Sequence, residues 1–173
     1  MIEVILNTSI SSPRRTILIP IDVSETSFYT AEWALKQIVN CESDNIILIN
    51  VRHEHIPHSK SKSNNGDKEN SFRIINEDLK LESHELLKSF SNLFIENHGH
   101  VKAICLVGDP RTEVLAWIKL NRPDQVIMGN RGRAALSGNF GLNVGLFLGS
   151  VSQHILQHSP VPVTVVPNPK LVE

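Results

Sequence analysis

The sequence predicts a single α/β domain built on a doubly wound, parallel, five-stranded sheet. Three observations carry that expectation. Short runs rich in Ile, Val and Leu alternate along the chain with segments of helical periodicity, the pattern of repeated strand–helix–strand units. These runs are continuously apolar, as in strands covered by helices on both faces. The length, 173 residues, suits one domain, and no internal repeat or second domain divides it.

The elements follow in order. Residues 1–14 read as an N-terminal extension and 15–168 as the domain. "RRTILIPIDVS" (14–24) is a β-rich run ending in a polar turn, and 15–22 is the first buried strand. From Ser24, a candidate N-cap, the period changes, and Phe28, Ala31, Leu35 and Ile38 mark the apolar face of a helix. "DNIILINV" (44–51) is the second strand. Residues 53–73, rich in Lys, Ser and Asn and without periodicity, read as a flexible surface loop. A long helix follows with Leu79, Leu86, Phe90, Leu93 and Phe94 on one face and Gly99 as its stop. "VKAICLVGD" (101–109) is the third strand. Asp109-Pro110 opens a helix whose buried face is Val114, Leu115 and Ile118, and which ends at Asn121-Arg122-Pro123. "DQVIMG" (124–129) is the fourth strand, and a helix runs from Ser150 to about His158. "VPVTVVP" (161–167) is the last strand. Pro162 and Pro167 lack ladder donors, which assigns it to a sheet edge. Right-handed crossovers put helices on both faces, giving a Rossmann-like sheet of strand order 3-2-1-4-5.

Composition narrows the function. Lys plus Arg is 17 and Asp plus Glu is 18, a net charge of −1, so no bulk charge draws the chain to nucleic acid or an anionic membrane. The two cysteines, Cys41 and Cys105, form neither a disulfide framework nor a ligand cluster, which suits a reducing compartment. The N-terminus lacks the basic segment of a signal peptide, and no apolar run approaches the roughly 20 residues of a membrane span. A cytoplasmic protein is the expectation.

In sheets of this kind ligands bind outside the carboxyl ends of the strands. Those ends carry Pro20-Ile21-Asp22, Asn50-Val51, Gly108-Asp109 and Met128-Gly129. After the fourth strand comes "VIMGNRGRAALSGNFGLNVGLFLGSVSQHIL" (126–156), with Gly129, Gly132 and then Gly149-Ser150 at a helix start. Glycine lets backbone approach a phosphate, and a helix N-terminus offers free N–H groups and partial positive charge. Ser150-Val-Ser-Gln153 also fits a capping box, a purely local role. A P-loop and a G-x-G-x-x-G fingerprint are both absent after the first strand.

The chain from Arg15 to Pro167 resembles the universal stress protein family. The resemblance rests on "ILIPIDVSETS", "ILINVRHE", "LVGDPRTEVL", "VIMGNRGRAAL" and "LGSVSQHILQHSPVPVTVV", in that order. It implies a parallel α/β fold, a homodimer joined through the last strand (161–167), and an adenine-nucleotide branch marked G-x2-G-x9-G-[S/T]. It further implies ATP or AMP as ligand, with or without Mg2+. By position, Asp22 sits against the adenosine beside Pro20, the Val51 backbone reads the adenine edge, and Met128 packs on the base. Gly129 lies by the ribose. Gly132, Gly149 and Ser150 line the phosphates, with Val151 and Ser152 as backbone neighbours. Asp22 has a local alternative as the cap of the first βα turn.

The chain departs from the family in spacing. Sixteen residues separate Gly132 from Gly149 where the family has nine, and the surplus falls on "SGNFGLN", 137–143. Lengthening a loop by that much costs roughly half a kcal/mol, so the insertion need not destroy the site. The function expected is regulatory, an adenine-nucleotide-binding stress-response homodimer. A slow ATPase, with Asp22 or Asp109 holding a metal and Arg131 or Arg133 reaching phosphate, is one alternative. A scaffold that has lost nucleotide binding is another. His53, His55 and His58 lack the cysteines or carboxylates of a metal site. Trp33, Trp117 and Cys105 read as packing residues, and Cys41 shows no sign of activation.

Overall fold

A computed structural model describes residues 2–5, 14–53, 65–130 and 148–167, with backbone alone for 2–5 and 65–75. The elements are β1 (Ile2–Ile5), β2 (Thr16–Pro20), α1 (Glu25–Gln37), β3 (Asn45–Arg52), α2 (Asn65–Ile95), β4 (His100–Val107), α3 (Pro110–Asn121), β5 (Gln125–Gly129), α4 (Ser150–His158) and β6 (Val163–Val166). The sheet order is β1-β4-β3-β2-β5-β6. Strands β2 to β6 are mutually parallel, and counted by themselves they have the expected order 3-2-1-4-5.

A sixth strand lies inside the stretch expected as an extension. β1 adds antiparallel to the outer edge of β4, from Ile2 opposite Cys105 to Ile5 opposite Lys102. Four residues carry too short a pattern to declare a strand by themselves; an existing edge supplies the backbone partners.

Continuous apolar runs are explained by two cores, one on each face of the sheet. Ile17, Ile19, Ile46, Leu48 and Ile127 face α1 and α2 with Ala31, Ala34, Phe90 and Phe94. Leu18, Ile47, Ile49, Val126 and Met128 face α3 and α4 with Val114, Leu115, Ile118 and Ile155. Alternate residues of one strand thus enter opposite cores.

Ser24 caps α1, accepting from the Ser27 N–H through its hydroxyl. The buried face of α1 differs from the apolar spacing. It consists of Thr26, Ser27, Thr30, Ala31 and Ala34. Leu35 and Ile38 pack at the margin of the core, and Phe28 is exposed on one side while stacked on Phe90, ring centroids 4.2 Å apart. Small residues turn towards the sheet, and Thr30 satisfies its hydroxyl locally by donating to the Thr26 carbonyl at 2.7 Å.

Helix α2 starts at Asn65, so 65–73 are helical where a loop over 53–73 is expected; residues 54–64 lie outside the described ones. Phe72 and Ile75 stand seven and four residues before Leu79, which carries the helical spacing back into the polar stretch. At its other end the left-handed residue is His98 (φ 62°), and the Gly99 N–H closes on the Phe94 carbonyl at 2.8 Å. Glycine is needed one place later than the turn itself, because a Cβ at 99 would stand 2.9 Å from that carbonyl oxygen. Asp109 and Pro110 open α3 as expected, and Arg122, left-handed at φ 47°, ends it.

Candidate functional site

Strand alternation turns the carboxyl-end residues of three strands to one face. Met128 lies in the α3/α4 core, Val51 packs at its margin, and Pro20 shares the parity of Leu18. β2 and β5 are parallel neighbours, so the β2–α1 turn and the start of α4 follow strands that end on the same rim of the sheet.

The β2–α1 turn is fixed by Asp22. Its Oδ1 accepts from the Ser24 N–H at 3.0 Å, from the Ser24 hydroxyl at 2.5 Å and from the Ser27 hydroxyl at 2.7 Å. The Asp22 N–H donates back to Ser27 Oγ at 3.1 Å. The local capping role is therefore filled through Oδ1. Behind the turn, Asn50 Nδ2 donates to the Ile21 carbonyl at 2.9 Å, and the Ile21 N–H donates to the Ile49 carbonyl at 2.8 Å. Asn50 Oδ1 accepts from the Ser83 hydroxyl at 2.6 Å, and Ser83 Oγ lies 3.0 Å from Cys105 Sγ. Asn50 and Ser83 are both buried. This support was not anticipated from sequence; a lone amide inside "IILINV" is the signal that could have pointed to it.

Helix α4 begins differently from the capping-box pattern. Gly149, not Ser150, is the N-cap, with φ −65° and ψ 159° and no side-chain cap, and Ser150 is the first helical residue. The Gln153 N–H bonds to the Gly149 carbonyl at 2.9 Å, an ordinary first helical bond. The N–H groups of Ser150, Val151 and Ser152 then have no carbonyl within the helix to take them. The start of α4 is tied to the end of β5: the Gly149 N–H donates to the Asn130 carbonyl at 2.6 Å, and the buried Ser152 hydroxyl to the Gly129 carbonyl at 2.7 Å. Pro20, Asp22, Val51, Met128, Gly129, Gly149, Ser150, Val151 and Ser152 thus belong to the carboxyl ends of the strands and the first turn of α4. Gly132 and the surplus 137–143 lie outside the described residues, as do Arg131 and Arg133.

Asp109 is engaged elsewhere. Its carboxylate takes Arg111 at 2.7 and 3.0 Å and the Arg111 N–H at 2.9 Å. The Arg111 hydrogen bonds hold it well below the usual carboxylate range against a smaller effect of burial. His53 is exposed, and His55 and His58 lie outside the described residues, among which no group of three potential metal ligands occurs. The Cys41 thiol is pushed up by partial burial and by the charge of Asp44, which leaves it a poor nucleophile at neutral pH. Trp33 and Trp117 pack at the margins of the two cores.

A model of the universal stress protein family matches residues 13–167. The chain belongs to that family. Universal stress protein MJ0531 of Methanocaldococcus jannaschii is 29% identical over 102 residues, covering 59% of this chain and 56% of the relative. A universal stress protein A family protein of Schizosaccharomyces pombe is 30% identical over 154 residues, 88% of this chain and 45% of the relative. The chain spans between 24% and 56% of the length of the curated relatives it matches. Among solved structures, hypothetical protein MJ0577 aligns with TM-score 0.70 at 24% identity, over 88% of this chain and 94% of its own. A universal stress protein family protein of Arabidopsis thaliana with AMP bound aligns with TM-score 0.62 at 21% identity, over 90% and 94%. A universal stress protein in complex with cAMP aligns with TM-score 0.55 at 18% identity, over 90% and 98%. At these identities the likeness is one of fold.

Proposed function

We propose that this universal stress protein binds an adenine nucleotide, ATP or AMP, in the crevice between the β2–α1 turn and the start of α4, and acts as a regulatory stress-response homodimer in the cytoplasm. The observation that carries the reading is the start of α4. A helix N-terminus without a side-chain cap is held by two hydrogen bonds against the carboxyl end of β5. Such a terminus suits an anion, and the apolar pair Val51 and Met128 across the strand ends suits a flat base. The family membership and the AMP- and cAMP-bound relatives support the choice of adenine. Asp22 meets the adenosine, and Gly129 the ribose. Gly132, Gly149 and Ser150 meet the phosphates, with Mg2+ as a companion of a triphosphate. Mass spectrometry of the denatured protein is expected to release ATP or AMP in near-stoichiometric amount. Failure to find nucleotide there, together with a flat calorimetric titration against both, rejects the reading.

The open sheet edge supports the dimer. β1 covers the outer edge of β4, and β6 closes the sheet on the other side with no further strand among the described residues. β5 bonds to the carbonyls of Pro162 and Val166, so alternation turns the N–H groups of Val163 and Val165 outward. Val165→Pro removes one outward donor and is tolerated on an edge strand. It is expected to shift the protein from dimer to monomer in sedimentation velocity at micromolar concentration, with circular dichroism unchanged. A wild-type protein that sediments as a monomer contradicts the dimer.

A further inference from the structure

The two histidines of α4, His154 and His158, stand four residues apart and so share one face of the helix. Their rings stack, with centroids 4.4 Å apart and planes inclined by 30°. His158 Nδ1 lies 2.9 Å from the His154 carbonyl oxygen. A carbonyl only accepts, so that nitrogen carries the hydrogen, and in the neutral ring the free lone pair is left on Nε2. His158 is exposed and His154 half-buried, so the pair is open to solvent. No ion pair among the described residues involves either ring. From Ser150 to Pro169 no other side chain is ionisable, so no neighbouring acid in the sequence accounts for the two histidines.

We propose that His154 and His158 chelate a divalent d-block cation, Zn2+ or Cu2+. Imidazole nitrogen suits both ions. A ligating histidine almost always donates its other ring N–H to an acceptor such as a backbone carbonyl, which fixes the tautomer and the ring orientation. The bond from His158 to the His154 carbonyl already supplies that support. Cβ atoms one helical turn apart stand about 5–6 Å from each other, and the torsion about the histidine Cβ–Cγ bond is soft. A turn of the stacked rings therefore brings a nitrogen of each to one ion. No third protein ligand joins them among the described residues, so water completes the coordination, unlike a closed four-ligand structural site. The last carbonyls of α4 add the negative end of the helix dipole. A histidine there suits the dipole by itself, but that role needs no second ring stacked on it. His158 lies roughly 12 Å along the helix axis from Ser150. The site is thus separate from the start of α4, and it stands whether or not a nucleotide binds there.

The test titrates the untagged full chain with Zn2+ and with Cu2+ by calorimetry, and compares the wild type with His154→Gln, His158→Gln and a triple variant, His53→Gln, His55→Gln and His58→Gln. The wild type is expected to bind one ion per chain, Cu2+ more tightly than Zn2+. Loss of a support to a ligand costs about 10–100-fold in metal affinity. Loss of a ligand costs at least as much, so each single variant should bind either ion about tenfold more weakly or worse. The triple variant should bind as the wild type does. Proton NMR of the wild type with Zn2+ gives a second readout that needs no variant: the ring Cε1–H resonances of His154 and His158 should move together, with one midpoint. Movement of neither ring or of only one overturns the proposal. So does undiminished affinity in either single variant. Binding that disappears in the triple variant assigns the ion to residues 53–58 and likewise overturns it.

Discussion

Gly149→Asp is expected to lose measurable ATP and AMP binding while melting at or slightly above the wild-type temperature. The backbone at 149, φ −65° and ψ 159°, is open to any L-residue, so the glycine is not demanded by local conformation. Asp is among the best N-cap residues, a few tenths of a kcal/mol better than glycine there, and its charge suits the helix dipole. The unliganded protein therefore gains a little. The ligand loses much more. The new carboxylate takes N–H groups that a phosphate would use, and it sets a like charge beside it. At about 4 Å and an effective dielectric near 20 that repulsion is about 4 kcal/mol, close to a thousandfold in affinity. Adenosine, which has no phosphate, should bind the variant as it binds the wild type. Calorimetry with ATP, AMP and adenosine checks this. Undiminished ATP affinity in Gly149→Asp would remove phosphate from the start of α4.

The same helix start shows why local sequence rules reach only part of the way. Ser-Val-Ser-Gln at 150–153 satisfies the capping-box pattern, and the pattern is silent about the bond from Gly149 to the Asn130 carbonyl that draws the helix start back by one residue. The strands were legible because each apolar run feeds two cores. Ile17 and Ile19 face one way and Leu18 the other, so no polar position interrupts the signal. The face of α1 was misread for a related reason. Apolar spacing selects Phe28, Ala31, Leu35 and Ile38, of which Ala31 is buried, but the other residues against the sheet are small or polar, with Thr26 and Thr30 hidden there and the Thr30 hydroxyl donating to the Thr26 carbonyl.

At the site, the positions next to each strand end followed from topology alone, since a parallel sheet brings all its carboxyl ends to one rim. What could not be read is whether a polar atom has a partner. Asn130 looks like any residue between two glycines. Only the folded chain shows its backbone engaged on both sides and its amide oxygen buried and unpaired. Asn50 and Ser83 stand 33 residues apart, and nothing local joins them.

At the opposite, amino-terminal rim of the sheet, Asp44→Ala is expected to lower stability by about 3 kcal/mol at neutral pH, the cost of breaking a buried charge-assisted cluster. For a chain of this size that is a fall in Tm of roughly 6–12 °C. Asp44 is 4% exposed at its side chain, and it accepts from Arg15 Nε at 3.1 Å, Arg15 Nη2 at 2.7 Å and the Asn40 N–H at 2.8 Å. Arg15 also donates to the Ile38 carbonyl at 2.9 Å, so the cluster joins the start of β2 to the connection between α1 and β3. Burial alone pushes the Asp44 carboxyl up. The Arg15 and Asn40 hydrogen bonds and the Arg15 charge together outweigh burial and hold it below its ordinary value. A carboxyl lowered in the folded state stabilises the fold fully above its unfolded value, near 4, and loses that contribution as pH falls through the folded value. The Tm deficit of Asp44→Ala should therefore stay constant from pH 7 to about pH 5 and shrink below about pH 4. Asp109, also lowered, is present in both proteins and drops out of the difference. Paired melting curves from pH 7 to pH 2.5 measure it. A deficit that persists undiminished at the acid end would mean that Asp44 stabilises through packing and neutral hydrogen bonds, and not through its charge.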